Sequence, residues 1–143
     1  MAGNNTFYNE SLTDHNMNPV HKHTIEGANM ELEGVNPSCG DDIVLSLRVE
    51  DGKIVDGGYV GDGCAISQAS ADMMLDLVIG RSVEEAEHYA DIFHRMITDE
   101  ITEEEHEELE EAGILQDIRH MPARTKCAML GWRTMNEMLT EGE

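Results

Sequence analysis

The chain has 143 residues and a formal net charge of −21, from 30 acids against nine Lys and Arg. That length suits one domain with a useful core, and that charge argues against nucleic acid or an anionic membrane as main partner, because both need a basic footprint. A partner with a basic docking patch fits the charge, and an acidic surface serving solubility alone fits it equally well. Aromatic residues make up only 4% of the chain, and ten methionines take over part of the packing, which their flexible thioethers allow. The three cysteines cannot all pair internally. The start "MAGNNTFYNESL" is polar, without a secretory pattern, and no run reaches the roughly 18 apolar residues of a membrane span. The expectation is a cytoplasmic protein with reduced thiols.

In chain order, residues 6–17 predict a short helix with Phe7 and Leu12 inward, and Pro19 turns the following "NPVHKH" into loop. Met30 and Leu32 alternate with Glu31 and Glu33, a half-buried strand over 28–36. Ile43, Leu45, Leu47 and Val49 alternate in a second strand, Asp51-Gly52 is a two-residue hairpin signal, and "KIVDGGYV" returns as a third. The period then becomes helical. Ile66, Ala69, Met73 and Leu77 form one stripe, stopped at Gly80. Ser82 with Glu85 reads as a capping box for a helix to about Met96, and Thr102 starts another that ends near Gly113. A last helix near 125–139 carries Ala128, Trp132, Met135 and Leu139. Strands followed by helices predict an α+β fold, a three-stranded antiparallel sheet with helices packed on one face. Asp99 to Glu111, with nine acids in 13 residues, reads as a solvated helix face, since no calcium-loop spacing is present.

Each cysteine falls at the edge of a predicted element. Cys39 precedes the second strand in "NPSCGDDI", Cys64 lies in "GDGCAIS" between the third strand and a helix, and Cys127 begins the last helix. In the hairpin, the start of strand two neighbours the end of strand three, so Cys39 and Cys64 can meet, and a docked helix end adds Cys127. Helix N-termini and metals both favour the thiolate. Asp41, two residues past Cys39, is the local candidate for a fourth ligand to tetrahedral zinc, and a harder, more displaceable one than thiolate. Three cysteines packed as small buried hydrophobes fit the spacing as well, since no CxxC pair is present. His21 and His23 are candidate ligands in a loop or, more simply, surface histidines. Ser38 and Ser67 have no evident His and Asp partners for a serine nucleophile.

The blocks "NPSCGDDIVLSL", "GYVGDGCAISQASADMM" and "PARTKCAMLGW" resemble the three cysteine blocks of iron–sulfur assembly proteins related to IscU and the NifU N-terminal domain. "LTDHNMNP" is similar to the family's N-terminal "DHYxNPRN" segment, so the resemblance covers most of the chain. It is nearest the SufU branch: Lys126 stands where IscU has a His before its third cysteine, the IscU chaperone-binding LPPVK is missing, and 98–120 looks like the SufU insertion. The departures are Asp72, where relatives often have Ser, "PVHKH" in place of the basic "PRN" stretch, and the strength of the acidic run.

The resemblance implies a SufE/NifU-like (IscU-like) fold, with 1–143 as one domain. It implies a Zn²⁺ site of Cys39, Asp41, Cys64 and Cys127, and a sulfurtransferase role in which Cys39 accepts persulfide sulfur from a SufS-type cysteine desulfurase. In that branch a desulfurase histidine replaces the first cysteine on zinc, freeing its thiolate. Arg124 matches a branch position near the metal that steadies an anionic sulfur, or serves as a surface salt bridge. The onward partners are downstream Fe–S assembly proteins or apo-protein acceptors, and the oligomeric state implied is a monomer or weak dimer. Two further readings stand beside this one: a scaffold on which Cys39, Cys64 and Cys127 hold iron or a transient [2Fe–2S] cluster, and a structural zinc adaptor.

Overall fold

The computed structural model describes residues 15, 17, 19–37 and 40–141. Three strands, β1 (Met30–Asn36), β2 (Asp41–Glu50) and β3 (Lys53–Asp62), form an antiparallel meander in the order β1-β2-β3. Asp51 and Gly52 both take positive φ, 52° and 75°, which is why Asp-Gly makes the tight β2–β3 turn. Strand two begins deeper in the cysteine region than its apolar alternation alone predicts, at Asp41, which pairs with Asn36. Of its expected inward residues, Ile43, Leu45 and Leu47 are fully buried, and Val49 is only partly so, just past a register shift at Arg48/Val49. Most of the expected N-terminal helix lies outside the described residues; His15 and Met17 are helical.

The helices follow: α1 (Ala65–Val78), α2 (Val83–Thr98), α3 (Glu103–Glu108) and α4 (Pro122–Glu141). The predicted stripe of α1 is buried, but so are Ala71, Met74, Leu75 and Val78, because the helix runs between the sheet and α4 rather than over a surface. Capping boxes open α2 at Ser82 and α3 at Thr102, as the sequence predicts. The last helix starts at Pro122, three residues before the expected position; proline suits a first helical turn, where its missing N–H is no loss.

The stretch between α3 and α4 departs from expectation. Instead of one helix to Gly113, α3 stops at Glu108 and Glu110–His120 continues as a 3₁₀ helix. Leu109 just before it and Ala112, Leu115 and Ile118 within it are buried apolar side chains. Their spacing of three matches the 3₁₀ repeat, which stacks i and i+3 on one face. The acidic run is correspondingly not wholly solvated. Arg81, just before the Ser82 cap, and His88 and Arg95 on α2, spaced seven apart, meet Glu110, Glu108 and Glu105 at 3.1, 2.9 and 2.6 Å.

Two contacts fix how α4 is rotated about its axis. The Trp132 and Phe93 rings stack at 4.3 Å, and Trp132 Nε1–H donates to Ser70 Oγ at 2.9 Å while the Ser70 hydroxyl donates to the Ala128 carbonyl at 2.7 Å. Ser70→Ala leaves the buried indole N–H without an acceptor, so unfolding in urea should show a loss of about 1–3 kcal/mol; Ser70→Thr should restore part of it. The Arg95 guanidinium, with the Thr102 cap, pulls the Glu105 carboxyl from the ordinary 4.5 to about 2. The stability from that depressed value is complete above the ordinary carboxylate range and is lost as pH falls toward 2. The stability gap between the wild type and Glu105→Gln should therefore be widest near neutral pH and close with acidification, as followed by urea melts at stepped pH.

Candidate metal and sulfur site

The β1–β2 turn, the end of β3 and the N-terminus of α1 meet at one end of the sheet. Asp41 opens β2, and its carboxylate is fully buried. Its Oδ1 accepts the Cys64 backbone N–H at 2.8 Å and lies 3.2 Å from Ser67 Oγ; its Oδ2 accepts from Asn36 Nδ2 at 3.3 Å. Among the described residues no Lys, Arg or His forms an ion pair with it. A buried carboxylate without a cation is expensive, so this one is suited to a positive ion.

Cys64 is the N-cap of α1, its Sγ accepting the Ser67 N–H at 3.4 Å. That places the sulfur at the positive end of the helix dipole. Cys127 is fully buried and accepts from Asn36 Nδ2 at 3.6 Å. Five residues of α4 precede it, so the helix-end argument holds for Cys64 and not for Cys127; burial and Asn36 set its surroundings instead. One ligand atom each from Asp41, Cys64 and Cys127 lies within 4.8 Å of the others. Two sulfurs and an anionic oxygen converging in this way fit the donor preferences of zinc. Cys39 and Ser38 lie outside the described residues, between Pro37 and Gly40 in the β1–β2 connection. Arg124 is half-buried in the first turn of α4, three residues before Cys127.

The sequence reading brought Cys64, Cys127 and Asp41 together and missed what supports them. Asn36 faces Asp41 across the strand pair and touches both Asp41 and Cys127; counting pairs back from the turn finds it. Ser67 serves the carboxylate and the Cys64 carbonyl rather than any nucleophilic role. His23 is exposed on its own loop, bonded to the Thr24 carbonyl, and His21 pairs with Asp76. Among the described residues, neither joins Cys64 or Cys127.

The match to the NifU-like N-terminal domain family spans residues 7–141. This chain belongs to that family. It is 39% identical over 92% of both chains to the Thermotoga maritima iron–sulfur cluster assembly scaffold protein IscU. It is 31% identical to the Bacillus subtilis zinc-dependent sulfurtransferase SufU, covering 99% of this chain and 95% of that one. The crystal structure of a SufU from Fervidobacterium islandicum, titled a putative scaffold protein for the SUF system, superposes with a TM-score of 0.87 at 33% identity, over 94% of this chain and 98% of the other. The expected α+β meander with helices is thus the family fold.

Close approach at this site rests on Gly63. A Cβ there would sit 2.4 Å from Ser67 Oγ and 3.1 Å from Asp41 Oδ1. Gly63→Ala must push both away, so its melt should show a loss of about 1–3 kcal/mol. Ser67→Gly in the same chain should recover part of that loss if the clash is the cause.

Proposed function

We propose that the chain is an iron–sulfur cluster assembly protein of the SufU type, a zinc-dependent sulfurtransferase that takes persulfide sulfur from a SufS-type cysteine desulfurase onto Cys39. The observation that carries the reading is the convergence of Asp41, Cys64 and Cys127 on one point, with Asp41 buried and, among the described residues, unmatched by a basic side chain. Cys39, Asp41, Cys64 and Cys127 are the residues that would hold zinc, and zinc when bound keeps its thiol ligands deprotonated at neutral pH.

This chain's residues do the rest. Asn36 and Ser67 orient the Asp41 carboxylate, so that the buried donors stay in place while Cys39, beside Gly40 in its turn, reacts. The Cys39 thiolate attacks the outer sulfur of the enzyme's persulfide. A bond forms between the two sulfurs, the enzyme's own S–S bond breaks, and its cysteine leaves as thiolate; the exchange needs no oxidant. Arg124, one turn before Cys127, steadies the resulting anionic persulfide. Residues 1–143 act as one domain in the cytoplasm, as a monomer or weak dimer, with 98–120 as the branch insertion and downstream assembly proteins or apo-proteins as acceptors. Support for the insertion is its own packing, through Leu109, Leu115 and Ile118.

The second reading, a scaffold carrying a transient [2Fe–2S] cluster as cargo on the same cysteines, draws support from the scaffold name of the Thermotoga maritima relative. Alanine production by a SufS-type desulfurase separates the two. The zinc-loaded chain should stimulate it, with Cys39→Ser abolishing the effect and Arg124→Ala reducing it several-fold. No stimulation, together with a stable cluster formed on anaerobic addition of iron and sulfide, would replace sulfur transfer by the scaffold.

A further inference from the structure

A second cluster of ligating side chains lies further along α1. Asp72 stands eight residues beyond Cys64, about 12 Å along the helix axis at 1.5 Å per residue. Asp72 and Asp76 are four apart and share a face of α1, and His15 comes over from the N-terminal segment. One donor atom from each of His15, Asp72 and Asp76 lies within 4.8 Å of the other two. The cluster has a sealed floor and an open mouth. The side chain of Asp72 is 0% exposed and that of His15 is 8%, whereas Asp76 is 46% exposed.

His21 holds both carboxylates. Its backbone N–H donates to Asp72 Oδ1 at 2.8 Å, and its Nε2 lies 2.8 Å from Asp76 Oδ1. One residue orienting two carboxylates toward a common point is the arrangement that outer partners take around a metal. Among the described residues, Asp72 has no Lys or Arg partner; the group within ion-pair distance is His15, with Nδ1 at 2.5 Å from Oδ2. An imidazole N–H can donate to this carboxylate, and an ion held between the two groups would take the place of that hydrogen bond.

We propose that His15, Asp72 and Asp76 form a second metal site, separate from the cysteines, which takes a divalent transition-metal ion with His21 as its orienting outer partner. The donor set is one imidazole and two carboxylates. That suits Zn²⁺, Co²⁺, Ni²⁺ or Mn²⁺ and excludes the soft ions and clusters that need thiolate. Binding replaces the proton shared between His15 and Asp72, so it weakens as pH falls. It also ties the segment bearing His15 and His21 to α1 through one ion.

Co²⁺ is the probe, because only a cysteine-bound cobalt shows the intense thiolate-to-metal charge-transfer band. Anaerobic titration of the whole chain, with stoichiometry from equilibrium dialysis, should find an equivalent without that band, in addition to any that shows it. Asp76→Asn, at the exposed mouth, should weaken this band-free equivalent at least tenfold, and His21→Ala should weaken it by about 10–100-fold. Asp72→Asn should abolish it. All three should leave the charge-transfer equivalent unchanged, and circular dichroism checks that each variant is folded. A wild-type chain without a band-free equivalent, or one whose band-free equivalent survives Asp76→Asn and His21→Ala, would overturn the proposal and leave the His15–Asp72 pair as a hydrogen-bonded buckle. Loss of the charge-transfer band alone would count against the cysteine site and leave this one standing.

Discussion

The buried carboxylate of Asp41 is the constraint around which this end of the molecule is organised. It lies at the first residue of β2, takes a backbone N–H from the N-cap of α1, and is steadied by side chains from β1 and α1. Three elements are thus tied to one anionic group. An anion without a basic partner in such a place costs several kcal/mol, and the fold bears that cost where two thiols converge on it. Hydrogen bonds reduce the penalty but do not cancel the charge. A cation would do both, which is why the geometry reads as a metal site rather than as a polar core.

Cys127 reaches this point only because α4 is held at one rotation. The stacked Phe93 and Trp132 rings and the Trp132–Ser70–Ala128 hydrogen-bond chain lock that helix against α1 and α2. Ala128 adjoins Cys127, so the same contacts that stabilise the core aim the thiol. A rotation of α4 by one residue, about 100°, would carry the sulfur away from Asn36 and Asp41. Core packing and site assembly are here the same set of interactions.

The large negative charge is handled locally. Part of the acidic run lies against Arg81, His88 and Arg95, and the chain past it turns its apolar residues inward. Exposed pairs of this kind contribute little singly, but three in a row set the register of the segment on α2. The four cations between Arg119 and Arg133 are then left in a stretch without a single acid from Ile118 to Asn136. Cys127 lies inside that stretch.

Much of this was legible in the residues. Strand alternation, the Asp-Gly turn and the two capping boxes are local signals, and local sterics and hydrogen bonding determine them in any context. The meander followed from them, and so did the meeting of the Asp41 end of β2 with Cys64, because adjacent antiparallel strands bring those ends together. The 3₁₀ repeat of Leu109, Ala112, Leu115 and Ile118 was equally present in the sequence, and was hidden by the capping box and acids that read as an ordinary helix. Tertiary structure alone decided the remainder. It buried α1 on nearly every side, since a helix between two layers keeps little solvent face, here at Asp76. It brought Asn36 to Cys127, and His15 and His21 to Asp72 and Asp76, across separations of 51 to 91 residues. Contacts at that range leave no period in the sequence; they exist only once packing has placed the elements that carry them.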